Sequence, residues 1–143
     1  MKMTIIRQTM KGEITEGTLQ INRLEVCQTL EHTQTRLPAG CYPVTLHRCK
    51  YYEYHIIQIG SRAPRCARCP QREDITTHTR LPLRCPMIKR GNGIHGRKDG
   101  SILVGTWACT GLLIHTKEAF GSLSDRVRKC ISRGQTVTLE IIE

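Results

Sequence analysis

Aromatic side chains are scarce: the 143 residues hold six, and four of these are Tyr42, Tyr51, Tyr52 and Tyr54. The few aromatics lie outside the basic segment of the chain, which argues against base stacking as the main way of holding a nucleic acid. No apolar run approaches the roughly 18 to 20 residues of a membrane span. The opening Met1-Lys2-Met3-Thr4-Ile5-Ile6-Arg7 breaks off too early for the apolar region of a secretory signal. The expectation is a soluble protein with no membrane span, cytoplasmic unless lysis or a secretion machine exports it. Internal repeats and low-complexity tracts are also missing.

Acidic residues are in deficit, 12 against 22 Lys and Arg, for a net charge of +10. The imbalance is local. Between Ser61 and Gly100 ten basic residues face only Glu73, Asp74 and Asp99. Such a segment attracts polyanions without chemical specificity, so a polyanion is one partner class to expect.

The length suits one domain, 1–143, able to bury about two thirds of its unfolded surface. Alternating patterns mark strands at Thr4–Arg7, Thr18–Ile21 and Leu24–Thr29, the last two joined by a tight turn at Asn22-Arg23. Leu37-Pro38-Ala39-Gly40 punctuates the chain before two β-rich stretches, Cys41–His47 and Tyr52–Ile59. Regular patterning then fails over an irregular, basic, Cys-containing insertion at about 61–90, broken by Pro64, Pro70, Pro82 and Pro86.

Short apolar strands resume at Ser101–Val104 and Gly111–Ile114. One helix follows: Thr116 is placed to cap it, Glu118 suits its first turn, and Phe120, Leu123, Val127 and Ile131 form its apolar stripe. It should end near Gly134, before a closing strand at Gln135–Ile142. The expected fold is α+β and mainly β: a small antiparallel sheet or partial barrel with one helix of the C-terminal half packed on it.

Eight cysteines without an export signal do not point to a disulfide framework. Cys27, Cys41, Cys49, Cys109 and Cys130 sit in apolar or strand-like surroundings and read as buried small hydrophobes. Cys66 and Cys69 form a CxxC pair, Cys85 follows, and His78 lies in the same loop. Together these four residues could hold a tetrahedral zinc and so staple the Pro-broken segment.

Gly91-Asn92-Gly93-Ile94-His95-Gly96 spells the glycine pattern of a dinucleotide loop, but no strand leads into it and no helix starts on it. No nucleotide cofactor is expected. These glycines permit sharp bends and close approach to a ligand, and Asp99-Gly100 signals a hairpin turn that sets Ser101 at the start of a buried strand. Gly91, Asn92, Gly93, Asp99 and Gly100 are therefore the candidate ligand-binding residues.

Gly91-Asn92, followed by Asp99-Gly100-Ser101-Ile102-Leu103-Val104-Gly105, resembles the signature of domain-of-unknown-function family 5675, a set of bacterial and phage domains. The likeness extends more loosely to the opening strands, to Leu37-Pro38-Ala39-Gly40, and to the final helix and strand. That signature in turn resembles the active-site segment of L,D-transpeptidases, whose cysteine attacks a peptidoglycan stem peptide. Ser101 stands where the family has cysteine, and Lys89 about where it often has histidine. The resemblance implies a non-catalytic or altered L,D-transpeptidase-like module that binds cell-wall peptide. Were it an enzyme, Ser101 would be the nucleophile and His95 or His115 its base. The alternative is a zinc-stapled basic module that binds nucleic acid or another polyanion.

Overall fold

The computed structural model describes residues 1–48, 55–60, 86–93 and 100–143, with His47 and Arg48 described as backbone only. Its elements are β1 (Lys2–Lys11), β2 (Ile14–Ile21), β3 (Leu24–His32), β4 (Gly40–Arg48), β5 (His55–Ile59), β6 (Met87–Lys89), β7 (Ile102–Cys109), β8 (Leu112–Ile114), α1 (Thr116–Ser132) and β9 (Val137–Ile142).

The opening meander forms as its alternation predicts, with Ile5 facing Leu19 and Leu19 facing Cys27 across antiparallel pairs. Asn22 and Arg23 both take positive φ, 53° and 67°. Two such residues in succession suit the hairpin twist that usually selects glycine. The strand order is β3-β2-β1-β9-β4-β5-β6-β7-β8, and a further antiparallel pairing of β3 with β7 closes the first eight strands into a barrel. Most pairs are antiparallel; β1 with β9 and β6 with β7 run parallel. The fold is thus the α+β, mainly β class expected from the sequence, one helix packed on a barrel, and the eight strands close it.

Because side chains alternate across a strand, every second residue points inward. Met3, Ile5, Leu19, Val44, Ile57, Ile88, Ile102, Val104, Leu139 and Ile141 fill the interior, as expected of a small barrel whose core is side chains rather than a channel. Phe120, Leu123, Val127 and Cys130 of α1 join the same cluster. The helix differs from expectation at both ends of its stripe. His115, in the left-handed region at φ 54°, occupies the cap position, so Thr116 lies inside the helix and no side chain caps it. Spacings of three and four residues both keep a helix face, and the fold uses three, burying Cys130 and leaving Ile131 exposed. Of the other scattered cysteines, Cys27 is partly buried, Cys41 and Cys109 are exposed, and Cys49 lies outside the described residues. Cys41 points out from β4 and Cys109 sits where β7 has left the barrel, so neither belongs to the core.

One position inside the barrel carries charge. Arg7 continues the inward series of Met3 and Ile5, and its guanidinium donates to both carboxylate oxygens of Glu31, Nε to Oε2 at 2.9 Å and Nη2 to Oε1 at 2.7 Å. Nη2 also donates to the Leu37 carbonyl at 2.6 Å and Nη1 to Glu143 Oε1 at 2.7 Å. The Glu31 side chain is fully buried. Burial works against the arginine's charge, but its hydrogen bonds to Glu31 and Glu143 outweigh that and hold its pKa above the ordinary range. The pair ties β1 and β3 to the segment leading into β4.

Removing one partner leaves the other charged and buried, so Arg7→Met or Glu31→Gln alone should destabilise the fold by about 3 to 5 kcal/mol in urea denaturation. Arg7→Met combined with Glu31→Leu should cost less than either single change.

Candidate functional site

Of the stretch Gly91–Gly105 that the sequence singles out, Gly91–Gly93 follow β6 and Gly100–Gly105 lead into and along β7, where Ser101 and Leu103 alternate with the inward Ile102 and Val104. Only β6 interrupts the expected irregular stretch at 61–90 within the described residues: Met87–Lys89 pairs with Ile57 and Gln58 on one side and with Ile102 and Leu103 on the other. Beyond Gly105 the chain leaves the barrel, and the β7–β8 hairpin folds back over the outer face of β2 and β3. A second, smaller cluster forms beneath it from Leu30, Leu103 and Leu113, flanked by Ile14 and Trp107.

Polar contacts fasten this outer layer. The Trp107 amide donates to Gln28 Oε1 at 2.6 Å, its indole Nε1 donates to the Thr29 carbonyl at 3.3 Å, and the Gly111 amide donates to Glu16 Oε2 at 3.4 Å. Asn92 meets both backbone groups of Leu113: its carbonyl accepts from the Leu113 amide at 2.8 Å, and its Nδ2 donates to the Leu113 carbonyl at 2.9 Å. One asparagine thereby acts as an added strand residue on β8. Gly91 lies directly on Leu103, where an added Cβ would sit 3.1 Å from Leu103 Cδ2. At Gly105 a Cβ would stand 2.7 Å from the Ile114 carbonyl oxygen, a backbone atom that cannot swing aside.

Lys89 is fully buried and Ser101 is 6% exposed. Lys89 faces Leu103 across the parallel ladder, and Ser101 precedes Leu103 by two residues. Strand spacing and rise then put their Cα atoms about 8 Å apart. Gly100, buried and at φ 81°, makes the bend into this strand. Gly93 is partly buried near the Gly111 carbonyl.

His115 does not join them. β7 and β8 do pair, but with Thr106 against Ile114, so His115 follows on toward Gly105. That is four residues along the strand from Ser101, about 13 Å, and His115 is exposed while Ser101 is buried. His95 and Asp99 lie outside the described residues, as do Cys66, Cys69, His78 and Cys85. Among the described residues no group of three or more His, Cys, Asp or Glu is arranged to hold a metal ion, and no helix is long and apolar enough to cross a membrane.

No family model, curated protein or solved structure matches the chain.

Sequence reasoning missed a concavity between α1 and the turn from β2 to β3. Its larger part is a trench of about 440 Å³ lined by Met1, Ile21, Asn22, Arg126, Lys129, Cys130, Arg133 and Gln135. The signal was present in the spacing of Arg126, Lys129 and Arg133 along one flank of a helix. A smaller hollow adjoins it at Arg126 and includes Cys27. Burial, then the nearby charge of Glu25, push the Cys27 thiol up to about 12. A thiol pKa raised by folding favours the protonated folded state. Its stability contribution is complete below about pH 9 and drains away as the pH rises toward 12.

Two expectations follow. Peptide mass spectrometry after brief alkylation at pH 8 should find Cys41 and Cys109 modified well before Cys27. In urea, Asn92→Ala should cost about 1 kcal/mol for the lost hydrogen bond, and Gly105→Ala about 1 to 3 kcal/mol for the backbone clash.

Proposed function

We propose that the outer face around β6 and the start of β7 is a peptide-binding site in a domain related to the L,D-transpeptidases, taking the stem peptide of bacterial cell wall without cleaving it. The observation that carries this reading is the parallel pairing of β6 with β7. It brings Lys89 and Ser101, the positions corresponding to histidine and cysteine in the resembling family, onto neighbouring strands with both residues buried. Gly91 and Asn92, the other signature residues, brace the same spot through Leu103 and Leu113.

The chemistry favours binding over turnover. A serine hydroxyl becomes a nucleophile only with a well-placed base, and the register holds His115 about 13 Å along the strand from Ser101. The glycine-shaped approach lets an extended peptide lie close to the backbone.

Titrating a synthetic stem pentapeptide into the labelled protein tests this by amide NMR. Signals from Ile88–Asn92 and Ser101–Leu103 should shift, the shifts should persist in Ser101→Ala, and the peptide should be recovered uncut. If those signals stay still in the wild-type protein, the peptide reading fails.

A further inference from the structure

We propose that the trench between α1 and the β2–β3 turn holds the phosphodiester backbone of a single-stranded nucleic acid. The trench shares no residue with the peptide site, so the two proposals stand or fall separately. Its character comes from Arg126, Lys129 and Arg133. At about 100° per residue, positions 126, 129 and 133 fall within about 60° of one another on the helix circumference, and the rise from first to last is about 10.5 Å along its axis. All three are exposed, all three line the trench, and none makes an ion pair among the described residues.

The neighbouring arginine behaves differently. Arg128 lies on the opposite flank of α1 and is paired with Asp125. Basic groups near a helix C-terminus also stabilise the negative end of the helix dipole, and Lys129 and Arg133 do so. That effect fades beyond the last turn, so it does not account for Arg126, which stands nearly two turns before the helix ends. The concavity is equally unexplained by the dipole, because a cation needs no opposing wall to interact with its own helix. Here the opposing wall is Ile21 and Asn22, the latter held in the left-handed turn that directs the β2–β3 hairpin.

A row of cations with no ion-pair partner among the described residues, set along one wall of a trench, matches a line of phosphates. A single strand can bend to follow three cations spread over about 10.5 Å of helix axis, whereas a duplex is stiff and holds its phosphates on a fixed cylinder. No aromatic residue lines the trench, so recognition rests on the backbone and carries no base preference. Glu25 is near enough to Cys27, which lines the adjoining hollow, for its charge to be felt there, and that negative charge disfavours a polyanion at the Cys27 end.

Fluorescence anisotropy with labelled oligothymidylate and oligouridylate across a salt series is the test. Three phosphate contacts contribute about 2 to the slope of log affinity against log salt, at about 0.7 per contact for a single strand. Replacing Arg126, Lys129 and Arg133 together by Gln should lower the slope by about that amount, and each single replacement by about 0.7. All three sites are exposed, and unchanged melting curves establish that the variants fold. Arg128→Gln should leave the slope as it is. An equal loss in Arg128→Gln would overturn the proposal, because attraction would then follow net charge alone. So would tighter binding to duplex than to single strands, equal affinity for polyglutamate, or an unchanged slope in the triple variant.

Discussion

The antiparallel pairing of Gln28–Glu31 with Ile102–Gly105 is the contact on which the rest of the structure depends. Without it the eight strands would form a curled open sheet, with β3 and β7 as bare edges able to recruit another chain. With it the backbone groups at both edges are satisfied, and the inward side chains meet across a filled interior. The same pairing carries β7 over β3, so that the β7–β8 hairpin can settle on the outer wall and anchor Trp107 to Gln28 and Thr29. The core and the candidate site thus share a dependency.

The buried Arg7–Glu31 pair belongs to the same logic. Apolar side chains of similar volume could fill that position and often give equal or greater stability. A bidentate pair differs in having one satisfactory geometry: two donors and two acceptors in fixed planes. Slipping β3 by one residue would turn Glu31 to the other face and leave a bare guanidinium inside the barrel. The pair acts on register, and register decides which residues of β3 meet β7.

Much of the fold was legible because its signals are local. Asn22-Arg23 announces a tight turn, strand alternation marks the meander, and the spacing of Phe120, Leu123 and Val127 sets one face of α1. The misses have local causes as well. A stripe that has reached Val127 continues equally well through residue 130 or 131, and only the shape of the barrel end selects Cys130. Met87–Lys89 escapes notice because three residues after a proline show no periodicity; their strand character comes entirely from neighbours on both sides. Barrel closure is invisible in the chain because its partners are some seventy residues apart. At the candidate site the glycines reveal their bend, while the part played by Asn92 depends on where Leu113 arrives.

The parallel pairing of β1 with β9 has a consequence in time. Met3 sits against Leu139 and Ile5 against Ile141, contacts that join the first described strand to the last. During synthesis the meander of β1, β2 and β3 emerges early and has nothing to cover its apolar face. β1 waits with an open edge until α1 and β9 have left the ribosome. Contacts this distant in sequence slow folding, because chain entropy is lost before the contacts compensate for it. Closing the barrel therefore waits for β9, and until then the apolar faces of β1, β2 and β3 lack the neighbours that cover them in the finished fold.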